Sequence, residues 1–260
     1  MSVDSISRVQ VSAEEWAARQ QLAVCYRIFD LLGWTELIYN HISLRVPGSP
    51  GRLLLNRFGL HYSEVRASNL VKIDLQGRVL EPPGAPVNAA GVAPHCAIHA
   101  GVPGAHCVMH THTTAGMAVA SSRAGLAYDN FYAAQLWGRV AYHDFEGITV
   151  HGDEGPRLVA NIGTGAGGVI PKPAVILRNH GLLAWGPALP AAFYTLFILQ
   201  RACEIQIAGA ALGATVPISD EIRLACQEDA KKVNADPEFG SEAYAGMVRL
   251  ADKADPTWRD

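Results

Sequence analysis

The stretch "AHCVMHTHTTAGMAVASS", residues 105–122, decides the architecture. Its first half is short, apolar and bounded by "VPG", which predicts a strand over 105–110. Small helix-forming residues then run from Thr114 to Ser122 and predict a helix. A strand feeding directly into a helix is the unit of an α/β fold. Successive strand residues alternate between faces, so His110 and His112 project the same way where the strand ends. Sites in α/β sheets lie at such edges.

The same alternation extends in both directions. A helix is expected near 93–102, a strand in "GRVAYH" (138–143), a helix near 154–163 and a strand in "PAVILRN" (173–179). Towards the N-terminus, Ser12 and Glu15 have capping-box spacing at the start of a helix in which Ala18, Leu22, Cys25, Phe29 and Leu32 recur at helical intervals, and Gly33 stops it. "HISLRV" (41–46), "RLLLN" (52–56) and "LVKIDLQGRVL" (70–80) read as short strands separated by turn signals. The C-terminal part is helical. "PAAFYTLFILQRACEIQIAGAAL" (190–212) is apolar on most of its circumference, which implies burial, between subunits if not within the chain. No segment has linker composition, so residues 1–260 are expected to form one domain, with flexible N-terminal residues and a helical C-terminal segment.

Composition excludes several function classes. With 260 residues, 49% of them hydrophobic, the chain can bury a large core. A formal charge of -3 provides no attraction to nucleic acid or to an anionic membrane. The five cysteines are odd in number and sit in apolar contexts, as buried thiols of a reducing compartment do. The opening "MSVDSISRVQ" lacks an apolar signal core, so a cytoplasmic protein is expected.

Five of the ten histidines fall between 95 and 112. Imidazole is a favoured zinc ligand at neutral pH, and His110 and His112 on one face would supply half of a tetrahedral shell. Strand-end surface histidines are the plainer reading. "AVILRNHG" also ends an apolar run in a histidine. Placed beside the first strand, His180 would complete a three-imidazole site with an open fourth position. Alternatively, Asn179 and His180 only shape the turn before Gly181.

"HCVMHTHTTAG", "GRVAYHDFEG" and "ILRNHGLLAWG", in this order and spacing, resemble the class II aldolase/adducin family, in particular its adducin-head-like branch. The resemblance runs from the first helix through "NHISLRV" to about Ala211. It implies a three-layer α/β/α sandwich around a central mixed, largely antiparallel sheet. It also implies that His110, His112 and His180 ligate a divalent metal, usually zinc, with iron or manganese as alternatives. The family's enzymes are sugar-phosphate aldolases, epimerases and decarboxylases that act on small molecules and build their sites between subunits, so a homotetramer is expected.

The chain departs from the family at informative places. The acid that aldolases carry four positions before the helix histidine falls on Gly91, so the usual proton-transfer group is missing. His95 and His99, one helical turn apart, are candidates to replace it, with helix–sheet packing as the alternative. Tyr142, His143, Asp144 and Glu146 end a strand near the same edge. Of the family's phosphate contacts, Asn40 and Ser43 are kept as candidate substrate-binding residues, but Tyr39 stands where glycine is expected and the Ser-Ser pair falls on "NAAG" (88–91). Arg45 is a candidate anchor for an acid group. The tyrosine donated by a neighbouring subunit corresponds to Tyr128 or Tyr132. These features favour a metal-dependent lyase-like enzyme for a small oxygenated carbonyl or hydroxy-acid substrate. The alternatives are a non-catalytic adducin-head-like module and an iron-dependent oxygenase.

Overall fold

A computed structural model describes residue 6 and residues 10–148, 153–168 and 170–260. The N-terminal residues expected to be flexible, 1–5 and 7–9, lie outside the described residues. Among the described residues eight strands form one sheet: β1 His41–Arg45, β2 Arg52–Leu55, β3 Val71–Asp74, β4 Val79–Glu81, β5 Cys107–Thr111, β6 Val140–His143, β7 Ala174–Leu177 and β8 Gly181–Gly186. Their order is β4-β3-β2-β1-β5-β8-β7-β6. Only the β6–β7 pairing is parallel; the other six are antiparallel. The expected mixed, largely antiparallel sheet is therefore present, with helices on both faces: α1 Ala13–Leu31, α2 Ala89–Gly101, α3 Thr114–Ser121, α4 Phe131–Ala134, α5 Glu154–Ile162 and α6 Leu189–Gly209 precede the C-terminal helices.

Two elements differ from the sequence expectation. "LVKIDLQGRVL" is a hairpin, β3–β4, rather than one strand. "GLLAWG" forms a further strand, β8, which lies between β7 and β5. The β7 strand is thus not the direct neighbour of β5, because the chain reverses at 178–180 and its next apolar run fills the gap.

Side-chain alternation sorts the sheet's side chains onto two faces. Cys107 and Met109 of β5, Ile42 of β1 and Leu182 of β8 point into the larger core with α1 (Ala13–Leu31) and α6 (Leu189–Gly209). Val108 and Leu183 point the other way, onto Ile98 of α2 (Ala89–Gly101) and Leu158 of α5 (Glu154–Ile162). Parity places His110 and, through the register His41↔His110, His41 on this second face, beneath α2.

In α1, the Ser12 hydroxyl accepts from the Glu15 amide at 3.1 Å. The Glu15 carboxylate does not return to the cap, because it pairs with the buried Arg19 and Lys72. Helix α2 starts at Ala89, ahead of the expected position, because the Asn88 side chain caps it. Helix α6 is covered within its own chain as far as Cys203, with Phe193 against Phe29, Trp34 and Tyr244. Its apolar circumference therefore needs no second subunit over that length, whereas Ile207 beyond it is exposed.

Candidate functional site

Three strand ends and one helix converge at the edge shared by β1, β5 and the β7–β8 turn. His110 is buried in β5, and its Nδ1–H donates to the Leu182 carbonyl at 2.9 Å. That bond leaves Nε2 as the lone-pair nitrogen, directed towards His112, whose Nε2 is 2.7 Å away. The third imidazole comes from the reversal between β7 and β8. Asn179 adopts the left-handed conformation there (φ 54°), and the His180 amide closes the turn on the Leu177 carbonyl. The His180 ring then lies 4.8 Å from the His110 ring and 5.0 Å from that of His112, centroid to centroid. One ligand nitrogen from each ring can be chosen so that all three lie within 4.8 Å of one another.

The next residue must be glycine for this packing. A Cβ on Gly181 would stand within 3.0 Å of the Thr111 carbonyl oxygen and close to the His110 and His112 rings.

Burial keeps these rings neutral. His110 is held well below the usual histidine range, first by burial and then by its histidine neighbours. His180 is pushed down to about 4 by burial and by His112, and His112 is lowered by burial. Neutral imidazoles with one nitrogen fixed by a backbone carbonyl are what a divalent metal requires. The donor set therefore fits zinc and also iron, whereas manganese, which favours oxygen ligands, suits three imidazoles less well.

The three rings form one end of a cavity of about 460 Å³, whose walls include His41, Gly91, His95, Tyr39 and Phe145. His95 reaches the wall with both nitrogens engaged: Nε2 is 2.8 Å from His41 Nδ1, and Nδ1 is 2.7 Å from Ser43 Oγ. His99 continues the chain, with Nε2 2.8 Å from Ser43 Oγ and Nδ1 2.8 Å from the Ala105 carbonyl.

The other candidate residues lie away from this cavity. Ser43 is buried between the two α2 histidines. Asn40 is buried as well; its amide donates to the Trp34 carbonyl at 3.0 Å, and it borders only a small side cavity. Arg45 is committed to the carbonyls of Pro50, His99 and Ala105. Tyr128 and Tyr132 pack on the opposite core, so neither reaches the cavity of its own chain. Tyr142 stacks under Arg178. His143 is held by Glu154 and Asn161, and Glu146 by Arg157. Sequence reasoning missed His41, which follows Asn40 in an ordinary-looking strand. The available signal was its strand-start position, which antiparallel pairing can place opposite His110.

A neutral three-histidine cluster opens on a cavity at the edge of a mixed sheet with helices on both faces, a donor set that could hold a metal ion. The family model for the class II aldolase and adducin N-terminal domain matches residues 20–207. The chain belongs to this family. It is 45% identical to rat (Rattus norvegicus) alpha-adducin over 192 residues, covering 73% of this chain and 25% of the longer adducin. Among solved structures, an aldolase II superfamily protein from Pseudomonas syringae superposes with a TM-score of 0.89 at 38% identity, covering 97% of this chain and 99% of that one. An L-fuculose 1-phosphate aldolase from Glaciozyma antarctica superposes with a TM-score of 0.80 at 25% identity, covering 96% of this chain and 94% of that one. Among the described residues no helix is long and apolar enough to cross a membrane.

Proposed function

We propose that the chain is a metal-dependent lyase-like enzyme of the aldolase/decarboxylase type, with zinc held by His110, His112 and His180. The observation that carries this reading is the convergence of three neutral imidazoles on one end of a cavity, one of them oriented by the Leu182 carbonyl. A divalent ion there supplies Lewis-acid stabilisation of negative charge developing on substrate oxygens. The protein fixes the ligand nitrogens, and Phe145 and Leu177 provide apolar wall on the same side.

The substrate is a small keto or hydroxy acid rather than a sugar phosphate. Position 91 is glycine and no carboxylate lines the cavity among the described residues, so the group that usually shuttles a carbon-bound proton, a role worth ~10²–10⁴ in rate, is missing from its place. Tyr39 lines the cavity where the family places glycine near the phosphate, and Ser43 and Arg45 are engaged elsewhere. Loss of carbon dioxide from an acid whose keto group lies β to the carboxylate leaves the bond's electron pair as an enolate, so it needs no proton abstraction from carbon, only a later protonation. The expected assembly is a cytoplasmic homotetramer in which Tyr128 or Tyr132 reaches a neighbouring chain's cavity, as their position away from their own cavity supports.

The test compares fuculose 1-phosphate and ribulose 5-phosphate with a panel of keto and hydroxy acids, using zinc-loaded protein. Turnover of an acid is the expected result. Turnover of either sugar phosphate at about 1–10³ s⁻¹, the normal range for an enzyme, would contradict it.

A second reading, a non-catalytic module like the adducin head, is favoured by the 45% identity to alpha-adducin. It predicts no turnover of any of these compounds by metal-loaded tetramer. An iron-dependent oxygenase is distinguished by metal analysis, since it requires oxygen-sensitive iron.

A further inference from the structure

Every hydrogen in the chain from Ala105 to His41 has one direction open to it. A carbonyl only accepts, so His99 Nδ1 carries a proton towards the Ala105 oxygen. A neutral His99 then has a bare Nε2, and the Ser43 hydroxyl must donate to it. With its single hydrogen used, Ser43 accepts from His95 Nδ1–H. His95 Nε2 is therefore bare, and His41 Nδ1–H donates to it. The end of the chain is His41 Nε2, a bare nitrogen with no hydrogen-bond partner among the described residues, on a ring that lines the cavity.

The same ring sits where a side chain at residue 91 would go. A Cβ built on Gly91 would lie within 3.0 Å of His41 Cδ2, Nε2 and Cε1. Glycine at 91 and the inward ring of His41 are two sides of one arrangement.

We propose that His41 takes the space of the side chain missing at position 91, and that its Nε2 is a fixed hydrogen-bond acceptor selecting ligands that bring a hydroxyl donor into the cavity. His95, Ser43 and His99 are positioning residues that set its tautomer. A ligand carboxylate would be repelled by this lone pair, whereas a hydroxyl can donate to it; the His41 ring lies 5.2 Å from the His110 ring, so the acceptor borders the three-histidine cluster. The selection of a hydroxyl-bearing ligand rests on the hydroxy-acid reading above, whereas the tautomer and the shared volume do not.

The experiment records the imidazole ¹⁵N spectrum of the histidine-labelled protein, assigned with a His41→Phe variant, which keeps an aromatic ring. Metal-free wild type should show His41 protonated at Nδ1 and bare at Nε2; a proton on Nε2 instead would overturn the proposal. Glycolate is then titrated into metal-loaded wild type and His41→Phe, with acetate as the probe lacking the hydroxyl. Glycolate should move the His41 Nε2 resonance and bind about 2- to 10-fold more weakly to His41→Phe, the range of one neutral hydrogen bond. Acetate should bind the two proteins alike. Equal glycolate affinity in both proteins would overturn the selective role. If neither acid binds wild type although His41 has the stated tautomer, the hydroxy-acid reading fails while the fixed acceptor is supported. A separate check removes ligands altogether: Gly91→Ala should destabilise wild type and be tolerated in a His41→Ala background, and equal cost in both would overturn the shared volume.

Discussion

Gly181 packs against the carbonyl oxygen of Thr111 more closely than any side-chain-bearing residue could. The contact lets β8 continue from the turn that carries His180 while its neighbour β5 presents His110. A Gly181→Ala change must push backbone against backbone, so a loss of about 1–3 kcal/mol is expected, as for other overpacked sites. Denaturant midpoints of the two proteins measure it. An unchanged midpoint together with unchanged metal binding would show that the turn has slack this geometry does not allow.

Tyr26 holds the start of the sheet together from α1. Its hydroxyl lies 2.7 Å from the Ile42 carbonyl and accepts from the Ile42 amide at 2.9 Å and the Asn56 amide at 3.2 Å. Tyr26→Phe leaves these buried groups unpaired and should cost about 1–3 kcal/mol. Since β1 also carries His41 and Ser43, the loss should be accompanied by altered His41 and His95 resonances. Full stability in the variant would contradict the role.

Acid should unfold the metal-free protein before its carboxylates titrate. His99 is pushed from the ordinary 6.5 down to about 3 by burial. Burial also holds His95 well below its usual range. In the unfolded chain these residues take up protons near the ordinary value, so between about 6.5 and about 3 the unfolded state binds more protons than the folded state. Their contribution to stability is complete above that window and is lost as pH falls through it. Urea midpoints should be level from pH 7.5 to 7 and fall between pH 6.5 and 5. A flat profile down to pH 5 would mean that these rings are protonated in the fold.

The sequence made the strand-to-helix unit at 105–122 legible because period and composition change together there. It also made His110 and His112 legible, because two-residue spacing on a strand fixes their common face. The β8 strand was missed although Arg178, Asn179 and His180 divide "AVILRNHGLLAWG" into two apolar runs, because the second is short and leads straight into the apolar helical segment. His41 was invisible for a different reason. Its role depends on the register His41↔His110 between strands about seventy residues apart and on a glycine in a third element. Likewise Ser43 was expected to touch a ligand because the resemblance places a phosphate contact there, but parity points it at α2, where two histidines occupy it.

The central claim, that one divalent metal binds per chain through His110, His112 and His180, is tested most directly by elemental analysis of purified protein. Wild type should carry one equivalent of metal per chain, and the His110→Ala/His112→Ala double variant, shown by circular dichroism to be folded, should carry none. A full equivalent of metal in the folded double variant would contradict the assignment.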